Sequence, residues 1–420
     1  MALALAVVVS LPYWLFQMLR HGKYRRGLTE RLGAVSKHLR LPAADEPVIW
    51  IHAVSVGEVL AILELAKELQ RRLPSHSLYV STVTDTGQEL ARKHFGEDRV
   101  FYFPMDFALA IRPYLRALRP KLVIVAETEF WPNFMRLAHD EGARITVVNA
   151  RISDRSFPQY RRFRGLIGKV LAHVELFLAQ TPEDADRLQA IGACAHKIHV
   201  SGNMKFDVAA PVSPPVVECL RASFAANGSG PVIVCGSTVD GEEPFLLEAF
   251  EDVLKKYPNG VMILGPRHPE RFPAVAAYLK ERSIRFYRRS QWQEESLSGR
   301  VLLLDSIGEL AAIYGIADIA FVGGSLVPRG GHNIIEPAQH GRAIVVGTYT
   351  ENFRDIVTLF QRRDAVKIAD PGELSTTFLT LLAEPEERNR LGDRAAETVR
   401  AQAGATARTA DAIEDLLARQ

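Results

Sequence analysis

The stretch VIWIHAVSVGEVLAILELAKEL, residues 48–69, predicts a strand that runs into a helix. An apolar run of strand length ends near Ala53, and a turn of small residues precedes apolar residues at helical spacing. Glu58 stands at the start of this predicted helix. Because unpaired N–H groups and the helix dipole favour an anion there, we expect its carboxylate to be ionised at neutral pH. The spacing leaves two interpretations open, a carboxylate that only stabilises the helix and a general base.

The same alternation of short apolar runs and amphipathic segments continues along the chain. Examples are KLVIVAE at residues 121–127 and RITVVNA at 144–150 in the first half, then PVIVCGS at 231–237 and DIAFVGGS at 318–325 in the second. Strands that alternate with helices are typical of parallel sheets. The pattern therefore predicts an α/β protein with two Rossmann-like, doubly wound domains facing a cleft.

The proline-rich stretch DVAAPVSPPVVE, residues 207–218, interrupts this alternation and has no helical period. We therefore interpret it as a linker between an N-terminal domain at residues 27–206 and a C-terminal domain at residues 219–420. The C-terminal domain would include the charged helices of the tail. That tail is long enough to pack back across the domain boundary.

The N-terminus predicts a membrane anchor over residues 1–26. The run MALALAVVVSLPYWLFQML, residues 1–19, carries no charge, and the basic stretch RHGKYRR follows at residues 20–26. This order favours keeping the rest of the chain in the cytoplasm. A signal peptide would instead carry positive charge before its apolar run. Pro12 would kink a spanning helix, so spanning and monotopic anchors both stay open.

The composition excludes several classes of function. A net charge of +2 on 420 residues is too mild to indicate nucleic-acid binding, which usually needs a concentrated basic face, so we expect no nucleic-acid partner. A locally basic patch stays open. The cysteines form no CxxC pair, which argues against a zinc site or a disulfide framework. The chain has no GxxxxGK[ST] motif and no GxGxxG after its first strand, which disfavours a P-loop protein or a dinucleotide oxidoreductase.

The stretch FVGGSLVPRGGHNIIEPAQHG, residues 321–341, holds the densest group of candidate binding residues. Its glycine pairs permit close backbone approach, and free N–H groups where a helix opens near His332 and Asn333 would bind a phosphate. Glu336 would share a helical face with Asn333 and bind ribose hydroxyls. A capped helix after a tight loop is the alternative. The glycines and polar residues at one strand end favour nucleotide binding.

Two other strand ends extend this predicted nucleotide site. GVMILGPRHPER ends with Pro266 and Arg267, and an arginine there can bind a phosphate. VLLLDSIGEL ends with Ser306, Ile307 and Gly308, whose backbone groups are expected to contact a base. Each turn alone is as compatible with a plain loop. Together they outline one nucleotide site.

The predicted strand ends of the first half carry acids, amides and bases, as a site for a sugar or phosphosugar requires. They are Ser55, Gly57, Glu58, Glu127, Glu129, Trp131, Asn133, Asn149, Arg151, Ser153, Arg155, Asn203 and Lys205.

Six motifs in fixed order resemble the 3-deoxy-D-manno-octulosonic acid (Kdo) transferases of Gram-negative envelope synthesis. They are AVSVGEVLA, ETEFWPN, NARISDRS, GNMKFD, GPRHPER and GGHNIIEP, behind the predicted anchor. The resemblance covers nearly the whole chain.

This resemblance implies a GT-B fold and an inverting glycosyltransferase that needs no metal or cofactor. It implies CMP-Kdo as donor and a lipid A precursor as acceptor, at the cytoplasmic side of the inner membrane. On the family pattern Glu58 is the base that deprotonates the acceptor hydroxyl, and Glu129 and Lys205 stabilise charge around the sugar. The residues implied to hold CMP are Pro266, Arg267, Ser306, Ile307, Gly308, Asn333 and Glu336.

Two alternative functions share part of these features. Another GT-B enzyme, a UDP-sugar transferase or epimerase, would also have the glycine-rich loop and the carboxylate near the ribose. A membrane-tethered scaffold that binds nucleotide without chemistry would not need Glu58 for its function.

Overall fold

The computed structural model describes residues 26–43, 45–207 and 214–419. The predicted anchor, except for Arg26, and residues 208–213 of the predicted linker lie outside these ranges. Within the described ranges, no helix combines the length and the apolar character needed to cross a bilayer.

The described chain forms two compact units. The first contains residues 26–207 and 402–419, and the second contains residues 214–401. The predicted boundaries group residues 219–420 together, whereas the structure places residues 402–419 in the first unit.

The first unit contains a seven-stranded sheet in the order β3-β2-β1-β4-β5-β6-β7, and all its pairings are parallel. The strands are β1 (Val48–His52), β2 (Ser77–Thr82), β3 (Val100–Tyr102), β4 (Pro120–Ala126), β5 (Arg144–Ala150), β6 (Leu176–Ala179) and β7 (Ile198–Val200). Its helices are α1 (Leu28–Arg31), α2 (Val56–Arg72), α3 (Asp85–Phe95), α4 (Ala108–Leu118), α5 (Pro132–Asp140), α6 (Phe157–Arg162), α7 (Arg164–Leu171), α8 (Pro182–Ala190) and, from the end of the chain, α17 (Ala405–Ala418).

The second unit contains another parallel seven-stranded sheet, in the order β10-β11-β9-β8-β12-β13-β14. The strands are β8 (Val232–Thr238), β9 (Val261–Pro266), β10 (Phe286–Arg288), β11 (Arg300–Leu303), β12 (Ile319–Val322), β13 (Ala343–Val346) and β14 (Lys367–Ile368). Its helices are α9 (Pro215–Asn227), α10 (Glu243–Lys256), α11 (Phe272–Glu281), α12 (Leu310–Ile313), α13 (Ile335–Gln339), α14 (Arg354–Arg362), α15 (Leu374–Ala383) and α16 (Pro385–Gln402).

The central strands are buried because helices cover both faces of each sheet, which is why they read as continuous apolar runs. The edge strands β7, β10 and β14 are partly exposed. One face of the first sheet packs around Trp50, whose indole Nε1 donates to Ser81 Oγ at 2.7 Å. The other face packs under α2 and α17, where Ile62 and Leu65 share a core with Ile413. In each sheet the strand order reverses beside the first strand, between β1 and β4 and between β8 and β12. Ligands bind at such switch points, beyond the carboxyl ends of the strands.

The structure corrects the predicted end of the linker. Helix α9 begins at Pro215, so residues 215–218 belong to a helix rather than to an extended connection. A proline is tolerated in the first turn of a helix because its missing N–H would have no intrahelical partner. The three cysteines are free thiols, but only Cys235 is buried, and Cys194 is exposed.

Candidate functional site

The switch point of the first sheet brings the end of β1 next to the end of β4, because these strands pair directly. Helix α2 starts three residues after β1, and Glu58 lies in its first turn. Glu127 and Glu129 follow β4. Both of their charges act on the carboxyl of Glu58, so the three acids lie close together. The structure thus brings these predicted site residues together at one edge of the sheet.

The carboxyl of Glu58 is held by the turn that precedes its helix. Its Oε2 accepts the backbone N–H of Val54 at 2.7 Å, and its Oε1 accepts the hydroxyl of Ser55 at 2.9 Å. The residue is 8% exposed. These bonds fix the direction of the carboxyl and stabilise the first turn of α2.

Burial raises the pKa of Glu58 to about 7, against the lowering effect of its hydrogen bond from Val54. The charges of Glu127 and Glu129 raise the pKa further. The carboxyl is therefore only partly ionised at neutral pH, less than its place at a helix start leads us to expect, because desolvation outweighs the hydrogen bonds that favour the anion. A carboxyl with a pKa near 7 can exchange a proton readily at neutral pH.

Lys205 lies beside this group of acids. Its Nζ is 2.9 Å from Oε1 of Glu127, and both side chains are partly buried. Lys205 belongs to a 3₁₀ turn, Met204–Asp207, that follows β7. Because β7 is separated from β4 by two strands, the sheet alone does not bring this lysine to the acids.

Asn149 connects the end of β5 to the turn that carries Lys205. It lies near the end of β5 with a φ of 52°, in the left-handed region, and its Oδ1 accepts the backbone N–H of Met204 at 3.1 Å. The turn is also held by Asn203, whose Oδ1 accepts the N–H of Lys205 at 3.0 Å. The two asparagines therefore position Lys205, a role that the sequence does not indicate.

Glu129 is partly buried in the loop after β4. Burial raises its pKa, and the charge of Glu127 raises it further, although the side chain of Trp131 lowers it. The charge of Glu129 in turn raises the pKa of the Tyr160 phenol. Tyr160 thus lies near the acid group, and no sequence motif selects it.

Asn133 has a structural partner outside this acid group. Its N–H donates to Oδ2 of Asp106 at 3.0 Å, and its Nδ2 donates to the carbonyl of the same residue at 2.7 Å. The N–H of Phe134 donates to Oδ1 of Asp106 at 2.7 Å. Asp106 therefore caps helix α5, and Asn133 serves that cap.

In the second unit the switch point brings the end of β8 next to the end of β12. The backbone N–H groups of Gly324, Ser325 and Leu326 point into this turn, as an anion site requires. They donate to the carboxylate of Glu242, at 2.8, 2.9 and 2.9 Å. These three N–H groups are therefore not free to bind a phosphate, because an internal carboxylate occupies them.

The structure brings Arg267, Asn333 and Glu336 close together. Asn333 Nδ2 lies 3.5 Å from Oε1 of Glu336, and Asn333 Oδ1 accepts the N–H of Ile335 at 3.1 Å. Burial raises the pKa of Glu336, while Asn333 and the charge of Arg267 lower it. Helix α13 begins at Ile335, two residues later than expected from His332 and Asn333.

The remaining predicted CMP residues follow the neighbouring strands. Pro266 ends β9, and Ser306 to Gly308 lie three residues beyond β11, which pairs with β9. The Ser306 hydroxyl donates to Glu309, and Ile307 is 80% exposed. The loop therefore presents an apolar side chain to solvent near the strand ends.

Metal ligation has no support in residues 26–43, 45–207 and 214–419. No group of three or more His, Cys, Asp or Glu residues there is arranged to hold an ion.

The fold is similar to that of known nucleotide-sugar enzymes. The crystal structure of UDP-GlcNAc 2-epimerase from Neisseria meningitidis, bound to UDP-GlcNAc, superimposes with a TM-score of 0.56 at 13% identity. The match covers 89% of this chain and 100% of that one. At this identity the likeness establishes the fold, and the predicted GT-B class is confirmed.

Sequence comparison identifies the family. The model of the family "3-Deoxy-D-manno-octulosonic-acid transferase (kdotransferase)" matches residues 26–208. The 3-deoxy-D-manno-octulosonic acid transferase of Haemophilus influenzae is 35% identical over 402 residues, which cover 94% of this chain and 93% of the relative. That of Bordetella pertussis is 36% identical over 398 residues, covering 90% and 89%. With this similarity along its whole length, the chain belongs to the Kdo transferase family and is a glycosyltransferase.

Proposed function

We propose that this protein moves Kdo from CMP-Kdo onto a hydroxyl of a lipid A precursor, with inversion at the sugar, and that Glu58 is the general base. The observation that carries the role of Glu58 is its carboxyl with a pKa of about 7, fixed by Val54 and Ser55 beside two further acids. The family supplies the donor and the acceptor.

The proposed reaction uses one proton transfer and one displacement. The Glu58 carboxylate takes the proton of the acceptor hydroxyl as the oxygen attacks the anomeric carbon of Kdo. The bond between that carbon and the phosphate oxygen breaks, and CMP leaves with the electron pair. A base with a pKa near the working pH suits this transfer, because it is often ionised and still accepts a proton strongly.

Lys205 and Glu129 stabilise the negative charge that develops around the sugar. Kdo carries its own carboxylate, and the leaving group is a phosphate, so negative charge accumulates in the site during the reaction. The ammonium of Lys205, held by Glu127, offers a positive charge beside the acids. Glu129 has a raised pKa because it is buried, which favours its protonated form as a hydrogen-bond donor to the substrate.

The second unit holds the donor in this proposal. Arg267 binds the phosphate, and Glu336, steadied by Asn333, accepts the ribose hydroxyls. Pro266 and the loop Ser306 to Gly308, with the exposed Ile307, contact the cytosine.

The acceptor and the location follow from the N-terminal sequence and the family. The uncharged run of residues 1–19 and the basic residues after it would anchor the protein at the cytoplasmic side of the inner membrane. There it would meet a phosphorylated lipid on an anionic surface.

Incubation with CMP-Kdo and a lipid A precursor tests the proposal. We expect release of CMP, and mass spectrometry of the lipid should show the added mass of Kdo. Glu58→Ala should abolish turnover while CMP binding stays within about twofold. Turnover of a UDP-sugar with CMP-Kdo ignored would contradict the donor. Full activity of Glu58→Ala would contradict the base and favour a nucleotide-binding scaffold. Glu64→Ala, at a partly exposed position of the same helix, is the control.

A further inference from the structure

Glu242 is a fully buried carboxylate that the proposed reaction does not use. It directly precedes helix α10, and each of its oxygens accepts two backbone N–H groups. Oε2 accepts from Val239 at 2.9 Å and from Gly324 at 2.8 Å. Oε1 accepts from Ser325 and Leu326, both at 2.9 Å. The four bonds use the whole acceptor capacity of an ionised carboxylate.

The turn held by Glu242 is in close contact with the end of β8. Gly323 donates its N–H to the carbonyl of Gly236 at 2.8 Å. A Cβ atom on Gly323 would lie 2.6 Å from the carbonyl oxygen of Ser237 and 2.8 Å from Oε2 of Glu242. Only glycine fits between the carboxylate and the neighbouring strand.

The same turn fixes the segment that carries the donor-binding residues. His332 Nδ1 donates to the carbonyl of Gly323 at 2.8 Å, and the N–H of Gly331 donates to the carbonyl of Gly324 at 2.7 Å. Asn333 follows directly, and Glu336 lies one turn further. The position of these two side chains therefore depends on the backbone that Glu242 holds.

We propose that Glu242 is a positioning residue for donor binding. Its carboxylate takes the place of a bound anion in the Gly324–Leu326 turn, and through His332 and Gly331 it sets where Asn333 and Glu336 meet the nucleotide. The inference rests on the proposed function, because it concerns the affinity for CMP-Kdo.

The negative charge and the two equivalent oxygens are both required. In Glu242→Gln, either orientation of the amide places an NH₂ donor against two backbone N–H donors. Two hydrogen bonds are lost, and buried donors are left without acceptors. The side chain keeps its size, so the change acts on the turn rather than on packing.

The first test compares KM with kcat. We expect Glu242→Gln to raise the KM for CMP-Kdo and the Kd for CMP about tenfold or more, because several charge-assisted bonds are affected. A purely structural role would lower the folded fraction, and hence the apparent kcat, without changing KM. The control is Asp318→Asn, which alters a carboxylate that accepts the N–H of Val232 at 2.8 Å, next to the start of β8. The control should leave KM unchanged.

The second test replaces the missing anion. Glu242→Ala leaves four N–H groups around an empty space, and formate should lower its KM for CMP-Kdo in a saturable way. Formamide is of similar size but neutral, so it should not lower the KM of this variant. Formate should not change the KM of the wild-type protein. If Glu242→Gln does not fold, this second test still measures whether Glu242 positions the donor-binding residues.

The outcomes separate this inference from the proposed function. A wild-type protein that does not turn over CMP-Kdo contradicts the proposed function. Wild-type turnover together with an unchanged KM in folded Glu242→Gln, or with no effect of formate on Glu242→Ala, overturns the role of Glu242 alone.

Discussion

The Nζ atom of Lys205 lies 2.9 Å from Oε1 of Glu127, although 78 residues of chain separate them. The pair links the loop after β4 to the turn after β7. It places one positive charge beside three carboxylates. Burial raises the pKa of Glu58, and the charges of Glu127 and Glu129 raise it further. The Lys205–Glu127 pair therefore places a cation next to one of the two charges that act on Glu58.

Lys205→Met should reduce kcat by about 10- to 100-fold, because a cation near the developing charge is lost. The charge of Glu127 would then have no partner at 2.9 Å and would act more strongly on Glu58. We expect the acidic limb of the pH–rate profile to move to higher pH. Lys121→Met, at an exposed position in β4, is the matched control. An unchanged midpoint in the Lys205 variant would contradict this coupling.

The rate should depend on pH through Glu58. Because the base acts only when deprotonated and its pKa is about 7, kcat/KM should fall about tenfold per unit as the pH drops below 7. Above the pKa the profile should level off. Glu58→Gln should lose about 10²- to 10⁴-fold in kcat and lose this acidic limb. Steady-state rates from pH 5.5 to 8.5 measure both effects.

The same carboxyl should make folding stability depend on pH. Its pKa is near 4.5 in an unfolded chain and about 7 in the folded protein. The folded state therefore holds the proton more tightly, and the resulting stability is present below pH 4.5 and lost as the pH rises through 7. Relative to Glu58→Gln, the wild type should lose about 3 kcal/mol of unfolding free energy between pH 4.5 and 8. Urea unfolding at both pH values tests this, and parallel curves for the two proteins would contradict it.

Asp207 fastens the Lys205 turn to helix α17. Its Oδ1 and Oδ2 accept the N–H groups of Gly404 at 2.6 Å and Thr406 at 2.5 Å, at the start of that helix. Asp207→Asn should cost about 1–2 kcal/mol, because it weakens a cap and an interaction with the helix dipole. Asp415→Asn, exposed on the same helix, should change stability by less than about 0.5 kcal/mol. Denaturant unfolding compares them, and equal midpoints would show that the cap is not important.

Two glycines should respond in opposite ways to alanine. Gly165 lies inside α7, and a Cβ there would meet no atom within 4 Å. Gly165→Ala should therefore stabilise the protein by about 0.4–1 kcal/mol. A Cβ on Gly236 would lie 2.7 Å from Cζ of the buried Tyr314. Gly236→Ala should destabilise by about 1–3 kcal/mol. Thermal unfolding of both variants measures the difference.

The sheets could be predicted from the sequence because both of their faces are buried. Buried parallel strands read as short apolar runs, and runs such as those at β4 and β12 are separated by helical periods. Pro215 misled the prediction of the linker, because a proline marks the start of a helix as readily as the end of one.

The site could be predicted only in part. The acids at the end of β4 and the pair Asn333 and Glu336 could be selected as candidates, because strand ends and helical spacing are visible in the sequence. The protonation state of Glu58 could not be predicted from the sequence, because it depends on how deeply the side chain is buried. The carboxylate that fills the glycine loop comes from Glu242, 82 residues before Gly324, and sequence spacing cannot show such a contact.

Helix α17 lies against α2 and completes one face of the first sheet, where Ile413 joins a core with Ile62. Residues 405–418 are synthesised only after the whole second unit. During synthesis, this face of the first unit therefore lacks α17 while some two hundred further residues are translated. The first unit can therefore complete its core only after the second unit has been synthesised.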